Sequence, residues 1–288
     1  MRVFLAGSTG VVGRRLLPLL IADGHHVTAL TRRPERAAGL RAAGAEPVVA
    51  DARDGRALAA AVRDSAPDVV VHQLTDLGRA DLTANSELRR VGTRHLVNAA
   101  LDAGARRIVA QSIAWAYAGG DGPAAEDTPL DRDAPEPRRS TVHGVAALEE
   151  AVGEAPEWVV LRYGMFHGPG TWFAPDGVRA GDARAGRLVA KGDVTSFVHV
   201  DDAAAAAVAA LNWPTGAVNI CDDHPAAAYE WMPAFCAAVG APPPPVDRGA
   251  ERPAWARGAD NTRARTELGW VAHHPCWRDA FAIRPASR

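Results

Sequence analysis

Val3-Phe4-Leu5-Ala6-Gly7-Ser8-Thr9-Gly10-Val11-Val12-Gly13-Arg14-Arg15-Leu16-Leu17 decides the fold. A short apolar run, a turn punctuated by glycines and then an amphipathic stretch reaching Asp23 read as strand, loop and helix. Glycine at 7, 10 and 13 permits a tight turn, close approach of the backbone to a pyrophosphate, and close packing of helix on strand. The helix start aims free N–H groups and the positive end of its dipole at the anion. With 27 glycines in 288 residues, such a triplet arises by chance ~0.2 times in a chain of this length, so the triplet alone is weak. Its place between the first strand and the first helix makes it a dinucleotide loop, held through Gly7, Thr9, Gly10, Val11, Val12 and Gly13.

The pattern repeats outward from there. Val27–Leu30, Pro47–Ala50, Val69–Val71 and Arg107–Ala110 read as strands, with helical stretches at Arg33–Ala43, Arg53–Ser65 and Ser86–Ala103 between them. This alternation predicts an α/β fold, a Rossmann-type doubly wound parallel sheet. Gly119–Arg139 reads as a surface loop, Val142–Val152 as a helix and Trp158–Arg162 as a sixth strand. The expected organisation is a cofactor domain over 1–165, to which 194–220 returns, and a smaller substrate lobe over 166–193 and 221–288.

The end of the second strand predicts which dinucleotide binds. An NAD site places an acid there for the ribose hydroxyls. Here Leu30-Thr31 is followed by Arg32, Arg33 and Arg36, with no acid at the strand end. A guanidinium grips a 2′-phosphate bidentately, and each charged hydrogen bond is worth roughly 1.5–3 kcal/mol. NADP(H) is therefore expected, with Asp51 and Ala52 beside the adenine.

These features resemble the extended short-chain dehydrogenase/reductases, the NAD-dependent epimerase/dehydratase family, over nearly the whole chain. Besides the glycine loop, Asp68-Val69-Val70-Val71-His72-Gln73-Leu74-Thr75 is similar to the family's fourth strand. Gly92-Thr93 resembles the start of its next helix. Arg162-Tyr163-Gly164-Met165-Phe166-His167-Gly168-Pro169-Gly170 is similar to its nicotinamide loop, and Phe197-Val198-His199-Val200-Asp201-Asp202 to a late strand-to-helix motif. The resemblance implies cofactor contacts at Leu74, Thr75, Gln111, Tyr163, Gly164 and Phe166.

The chemistry departs from the family. Its members pair a tyrosine with a lysine four residues later and a hydroxyl after the fifth strand. Lys191 is the one lysine among 32 basic residues, and no Tyr-x-x-x-Lys exists. Ser140-Thr141-Val142-His143-Gly144-Val145-Ala146-Ala147 stands in its place, putting His143 or Val142 in the tyrosine slot and Ala147 or Ala146 in the lysine slot. The family's asparagine ahead of Gly92 becomes Arg89. Strand end selects Ser112 for the hydroxyl, whereas spacing from Tyr117 selects Ile113. Catalytic candidates are thus Ser112, His143 and Tyr117, each with a structural alternative: a strand-end serine, a packed histidine, an aromatic wall.

General acid–base help contributes about 10²–10⁴-fold, so a reductase can forgo it if its substrate is already polarised. An epimerase or dehydratase cannot. Trp115, Trp172, Phe173 and His167 are the substrate-side candidates, aromatic groups suited to a flat apolar ligand or to core packing. The reading is an NADPH-dependent ketoreductase acting on an aromatic, polyketide-like ketone, by analogy with atypical members of the family. A non-catalytic NADP(H) sensor and a sugar-nucleotide epimerase are the alternatives.

Composition closes off other classes. With 48% hydrophobic and 23% charged residues, the chain is globular. A net charge of −2 offers no basic surplus for nucleic acid or an anionic membrane. No apolar run approaches the roughly 18 residues of a span. A strand beginning at Val3 leaves no room for a signal peptide, so the chain is expected to be cytoplasmic. Cys221, Cys236 and Cys276 lack ligand spacing, and no metal is expected. Oligomeric state is not legible.

Overall fold

A computed structural model describes residues 1–77 and 82–282. Seven strands form one sheet: β1 (Arg2–Ala6), β2 (His26–Thr31), β3 (Glu46–Val49), β4 (Val69–His72), β5 (Arg107–Ile113), β6 (Glu157–Tyr163) and, later in the chain, β10 (Gly216–Ile220). Their order is β10-β6-β5-β4-β1-β2-β3, and the pairs β1–β2, β1–β4, β2–β3 and β4–β5 are parallel. This is the doubly wound order, in which the chain turns back at β1 and the carboxyl ends of the strands hold the ligand.

The helices are α1 (Gly13–Ala22), α2 (Ala37–Ala42), α3 (Gly55–Ser65), α4 (Leu82–Glu87), α5 (Thr93–Asp102), α6 (Arg138–Val152), α7 (Val178–Arg184), α8 (Val200–Ala209), α9 (Ala228–Ala238) and α10 (Trp277–Ala280). A π turn, Leu88–Gly92, joins α4 to α5. Two-residue periodicity in the strands puts Phe4, Val70, Ile108 and Val160 on one sheet face. There they pack with Leu58 and Val62 of α3, Leu96 of α5 and Leu148 and Val152 of α6.

The chain divides into two compact units. The first is 1–112, 130–162 and 204–218; the second is 113–129, 163–203 and 219–288. Residues 113–129, 163–165, 194–203 and 219–220 fall in the second unit, although the sequence reading places them in the first. Short strands β7 (Met165–His167) and β9 (Phe197–His199) pair in parallel in the second unit, and β8 (Val194–Thr195) pairs with β11 (Ala226–Ala227). The core there is aromatic: Phe173 meets Phe197, Trp231 and Phe235 at ring separations of 5.3, 5.6 and 5.2 Å. No helix among the described residues is long and apolar enough to cross a membrane.

Candidate active site

The loop after β1 is built for a close ligand. Gly7 has φ +92°, and a Cβ on it would lie 2.3 Å from the Gln73 carbonyl oxygen. A Cβ on Gly13 would lie 2.1 Å from the Gly7 carbonyl oxygen, so only glycine lets α1 start against the strand. The Gly10 N–H donates to the Gly7 carbonyl at 3.0 Å, and Ser8 Oγ donates to Leu30 O at 2.8 Å, which ties the loop to β2. Thr9 and Gly10 are exposed, Val11 half-buried and Val12 buried. Beside them the Gln73 side chain is buried with neither amide atom hydrogen-bonded. A cradle that any side chain would fill, next to an orphaned buried amide, fits a dinucleotide's pyrophosphate.

At the β2 end, Arg32, Arg33 and Arg36 are all exposed, as a 2′-phosphate site requires. Two residues that the sequence reading missed join them. Asp76 lies 3.3 Å from Arg32 and 2.9 Å from Arg53, and the hydrogen bond from Arg53 holds its carboxyl below the usual carboxylate range. Asp51 Oδ1 accepts the Arg53 N–H at 2.9 Å, while Ala52 is buried. Leu74 and Thr75 are half-buried after β4. The Leu74 N–H donates to His72 Nδ1 at 3.2 Å, which leaves Nε2 to donate to Thr93 Oγ1 at 2.8 Å. Burial, aided by the Arg89 charge, pushes His72 down to about 4.

At the catalytic end three expectations change. Ser112 is buried and its Oγ donates to Glu149 Oε1 at 2.6 Å. The same carboxylate takes Arg162 Nε at 3.0 Å and Nη2 at 2.7 Å, so the serine belongs to a buried ionic cluster rather than to a substrate. Strand alternation turns Ile113 to the opposite face, so the residue favoured by spacing has no hydroxyl to offer. His143 is exposed, and its Nε2 hydrogen-bonds to the Arg132 carbonyl at 2.9 Å. The side of α6 that carries Glu149 bears Val145 one turn earlier and Thr141 two turns earlier, both buried. Thr141 and Val145 thus lie on the side of α6 that carries Glu149. Tyr117 is sealed among Ala114, Ala124, Cys221 and Ala259, with its hydroxyl on Asn219 Oδ1 at 2.5 Å.

Arg89 is the group that sequence spacing undervalued. It sits on the π turn with 3% of its surface exposed, and burial pushes it down to about 10 against the pull of Glu149. Among the described residues no hydrogen-bond partner of its guanidinium is found. Two arginines thus lie about one glutamate in this buried cluster.

In the second unit, Tyr163 is buried with its hydroxyl on Ala203 O at 3.0 Å, so its side chain is structural. A Cβ on Gly164 would lie 2.8 Å from Ser196 O; Phe166 is half-buried, its ring 5.2 Å from that of Tyr163. Gln111, in the first unit, is buried at the end of β5. Phe173 and His167 are buried, whereas Trp115 and Trp172 keep partial exposure.

Residues 3–221 match the model of the NAD dependent epimerase/dehydratase family. The chain belongs to this family. NAD(P) is the cofactor typical of it, and the glycine cradle fits that group. A 3-diazoavenalumate denitrifying reductase from a Streptomyces species is 47% identical over 305 residues, covering 98% of this chain and 99% of the relative. That relative's substrate is a diazo compound, which displaces the expected polyketide ketone. The Bordetella bronchiseptica enzyme WbmG, solved with NAD and UDP, shares the fold with a TM-score of 0.77 and 22% identity, over 98% of this chain and 96% of that one. A UDP-glucose 4-epimerase from Thermotoga maritima gives 0.75 and 17%, over 98% and 97%. These two likenesses show the fold.

Proposed function

We propose that this chain is an NADPH-dependent reductase that removes nitrogen from an aromatic diazo acid. The observation behind it is the missing proton relay: the chain holds no Tyr-x-x-x-Lys to protonate a reduced carbonyl, and the Ser112 hydroxyl donates to Glu149. Bound NADPH supplies a hydride, which forms the new C–H bond at an arenediazonium carbon while the C–N bond breaks and its electron pair leaves with N2. No proton is consumed, so no general acid is required. A ketone would instead leave an alkoxide, whose protonation by a positioned acid is worth about 10²–10⁴-fold. The 47% identity to a denitrifying reductase supports the same class.

The chain's residues bind and orient. The loop Gly7–Gly13 takes the pyrophosphate on N–H groups at the start of α1. Arg32, Arg33 and Arg36, joined by Arg53, take the 2′-phosphate, with Asp51 and Ala52 at the adenine and Leu74 and Thr75 along the cofactor. Arg89, a buried cation beside a Glu149 carboxylate that Arg162 already engages, is the anchor for the substrate's carboxylate, since a buried charge favours a partner. Trp115 and Trp172 offer flat surface to an aromatic ring.

Purified protein given NADPH and an aromatic diazo acid should consume one NADPH per N2 released. Reduction of a hydroxylated aromatic ketone, with the diazo acid untouched, would overturn the proposal. Tight NADPH binding with no oxidation by either would favour a sensor.

A further inference from the structure

The second unit gathers histidines that the first unit's chemistry does not use. β7 and β9 pair so that His167 lies directly across from His199, which puts both side chains on one face. Their ring centroids are 5.1 Å apart. Asp202 follows three residues later in the first turn of α8, and it is buried. Its carboxylate accepts the backbone N–H groups of His273 at 2.8 Å and His274 at 2.9 Å, which pins this late segment beside β9. The His274 ring then stacks on His199 at 3.7 Å between centroids. Ligand atoms of His199, Asp202 and His274 all lie within 4.8 Å of one another.

A second, independent observation concerns His167. It is fully buried, and neither ring nitrogen has a hydrogen-bond partner. Buried polar atoms are nearly always satisfied, and an orphan imidazole calls for an explanation. The groups whose charges act on it are His199, His274 and Asp202, the same three. Its ring also meets those of Phe197 and Phe281, which supply no acceptor. A Cβ on Gly168 would lie 2.5 Å from His199 Nε2, so glycine lets the chain pass close to this ring. His199 Nδ1 accepts the Asp201 N–H at 3.2 Å.

We propose that His167, His199, Asp202 and His274 form a site for one divalent transition-metal ion, zinc by the donor set. Three imidazoles and one carboxylate suit zinc, whereas calcium and magnesium require oxygen ligands. Two imidazoles sharing a tetrahedral zinc hold their ring centres about 5 Å apart, given Zn–N bonds of about 2.1 Å. His167 and His199 already have that separation. His199 and His274 do not, so binding parts their stack, and His274, with 46% of its side chain exposed, is the one free to move. Four protein ligands leave no open position, which makes the ion structural: it clamps the segment around His273 and His274 to the β7–β9 pair. The ligands come from 167, 199, 202 and 274, a spread that no spacing motif describes, so the expectation of no metal had only the cysteines to rest on.

The test uses the intact chain, stripped with a chelator and titrated with Co2+ and then Zn2+. One equivalent of Co2+ should give the visible spectrum of a tetrahedral site, and Zn2+ should displace it and raise the melting temperature. His274→Ala and His167→Phe should each weaken uptake by at least about 100-fold, beyond what loss of an outer-shell partner does. NADPH binding should be unchanged in both variants and reports that they are folded. If His167→Phe fails to fold, the exposed His274→Ala still decides. No uptake by the wild type, an octahedral spectrum, or variants that bind as well as the wild type would overturn the site.

Discussion

The two ends of the first unit's site treat the family pattern in opposite ways. The β1–α1 loop keeps every feature that a dinucleotide needs, down to glycines whose replacement would collide with backbone at 2.1–2.3 Å. The β5–α6 end has lost every feature that a proton relay needs and holds instead Ser112, Glu149, Arg162 and Arg89 in a buried ionic cluster. A chain that holds a hydride donor without an acid beside it fits a reaction in which hydride transfer is the whole of the redox chemistry. Diazo removal is such a reaction; ketone reduction, epimerisation and dehydration are not.

The contrast breaks most easily at its retained end. Gly13→Val should abolish NADPH binding in a fluorescence titration, because the new side chain has nowhere to go but into the Gly7 carbonyl. Unchanged affinity would mean that the pyrophosphate is held elsewhere. At the other end, Glu149→Ala removes the carboxylate that Arg162 meets at 2.7 Å in a buried ion pair. Removing one partner of a buried pair costs about 3–5 kcal/mol, so a large fall in denaturation midpoint is expected. A near-neutral result would show the cluster to be hydrated.

His72 gives the acid limb of stability. Its folded pKa of about 4 lies below its unfolded value of 6.5, so the unfolded chain binds the extra proton. Stability from this group is complete above pH ~6.5 and is lost as pH falls toward ~4, up to about 3 kcal/mol. His72→Gln should flatten that limb in urea midpoints measured from pH 7 to 4. Arg32→Ala comes next, weakening NADPH by roughly 1.5–3 kcal/mol while leaving NADH nearly unchanged. An equal loss for both cofactors would deny the guanidinium its 2′-phosphate. The smallest effect belongs to His143→Ala: turnover within about twofold of wild type, because an exposed side chain on a carbonyl contributes little. Abolished turnover would restore His143 as the acid.

Local signals carried the cofactor end. Glycine spacing and strand–helix alternation act over a dozen residues, and both the loop and the doubly wound parallel sheet were legible from them. The catalytic end depends on which side of α6 faces β5. That is fixed by Glu149 meeting Ser112 and Arg162 across 37 and 13 residues, and no local pattern announces it. Hence the helix was found, but which of its side chains meet β5 was not legible. Arg53 and Asp76 escaped for a similar reason, being brought to Arg32 by the ends of β3 and β4. Aromatic residues were ambiguous on principle, since a ring suits a core as well as a pocket. Phe173 and Tyr117 went to the core, and Trp115 and Trp172 stayed partly exposed.

Isotope tracing tests hydride transfer without a protein acid most directly. Turnover of an aromatic diazo acid with NADPH deuterated at the transferred position, in ordinary water, should place one deuterium on the carbon that carried nitrogen, with one N2 per NADPH. Running unlabelled NADPH in D2O should place none there and leave the rate nearly unchanged. Solvent deuterium at that carbon, or a large solvent isotope effect, would contradict it by requiring a proton donor in a chain that holds no Tyr-x-x-x-Lys.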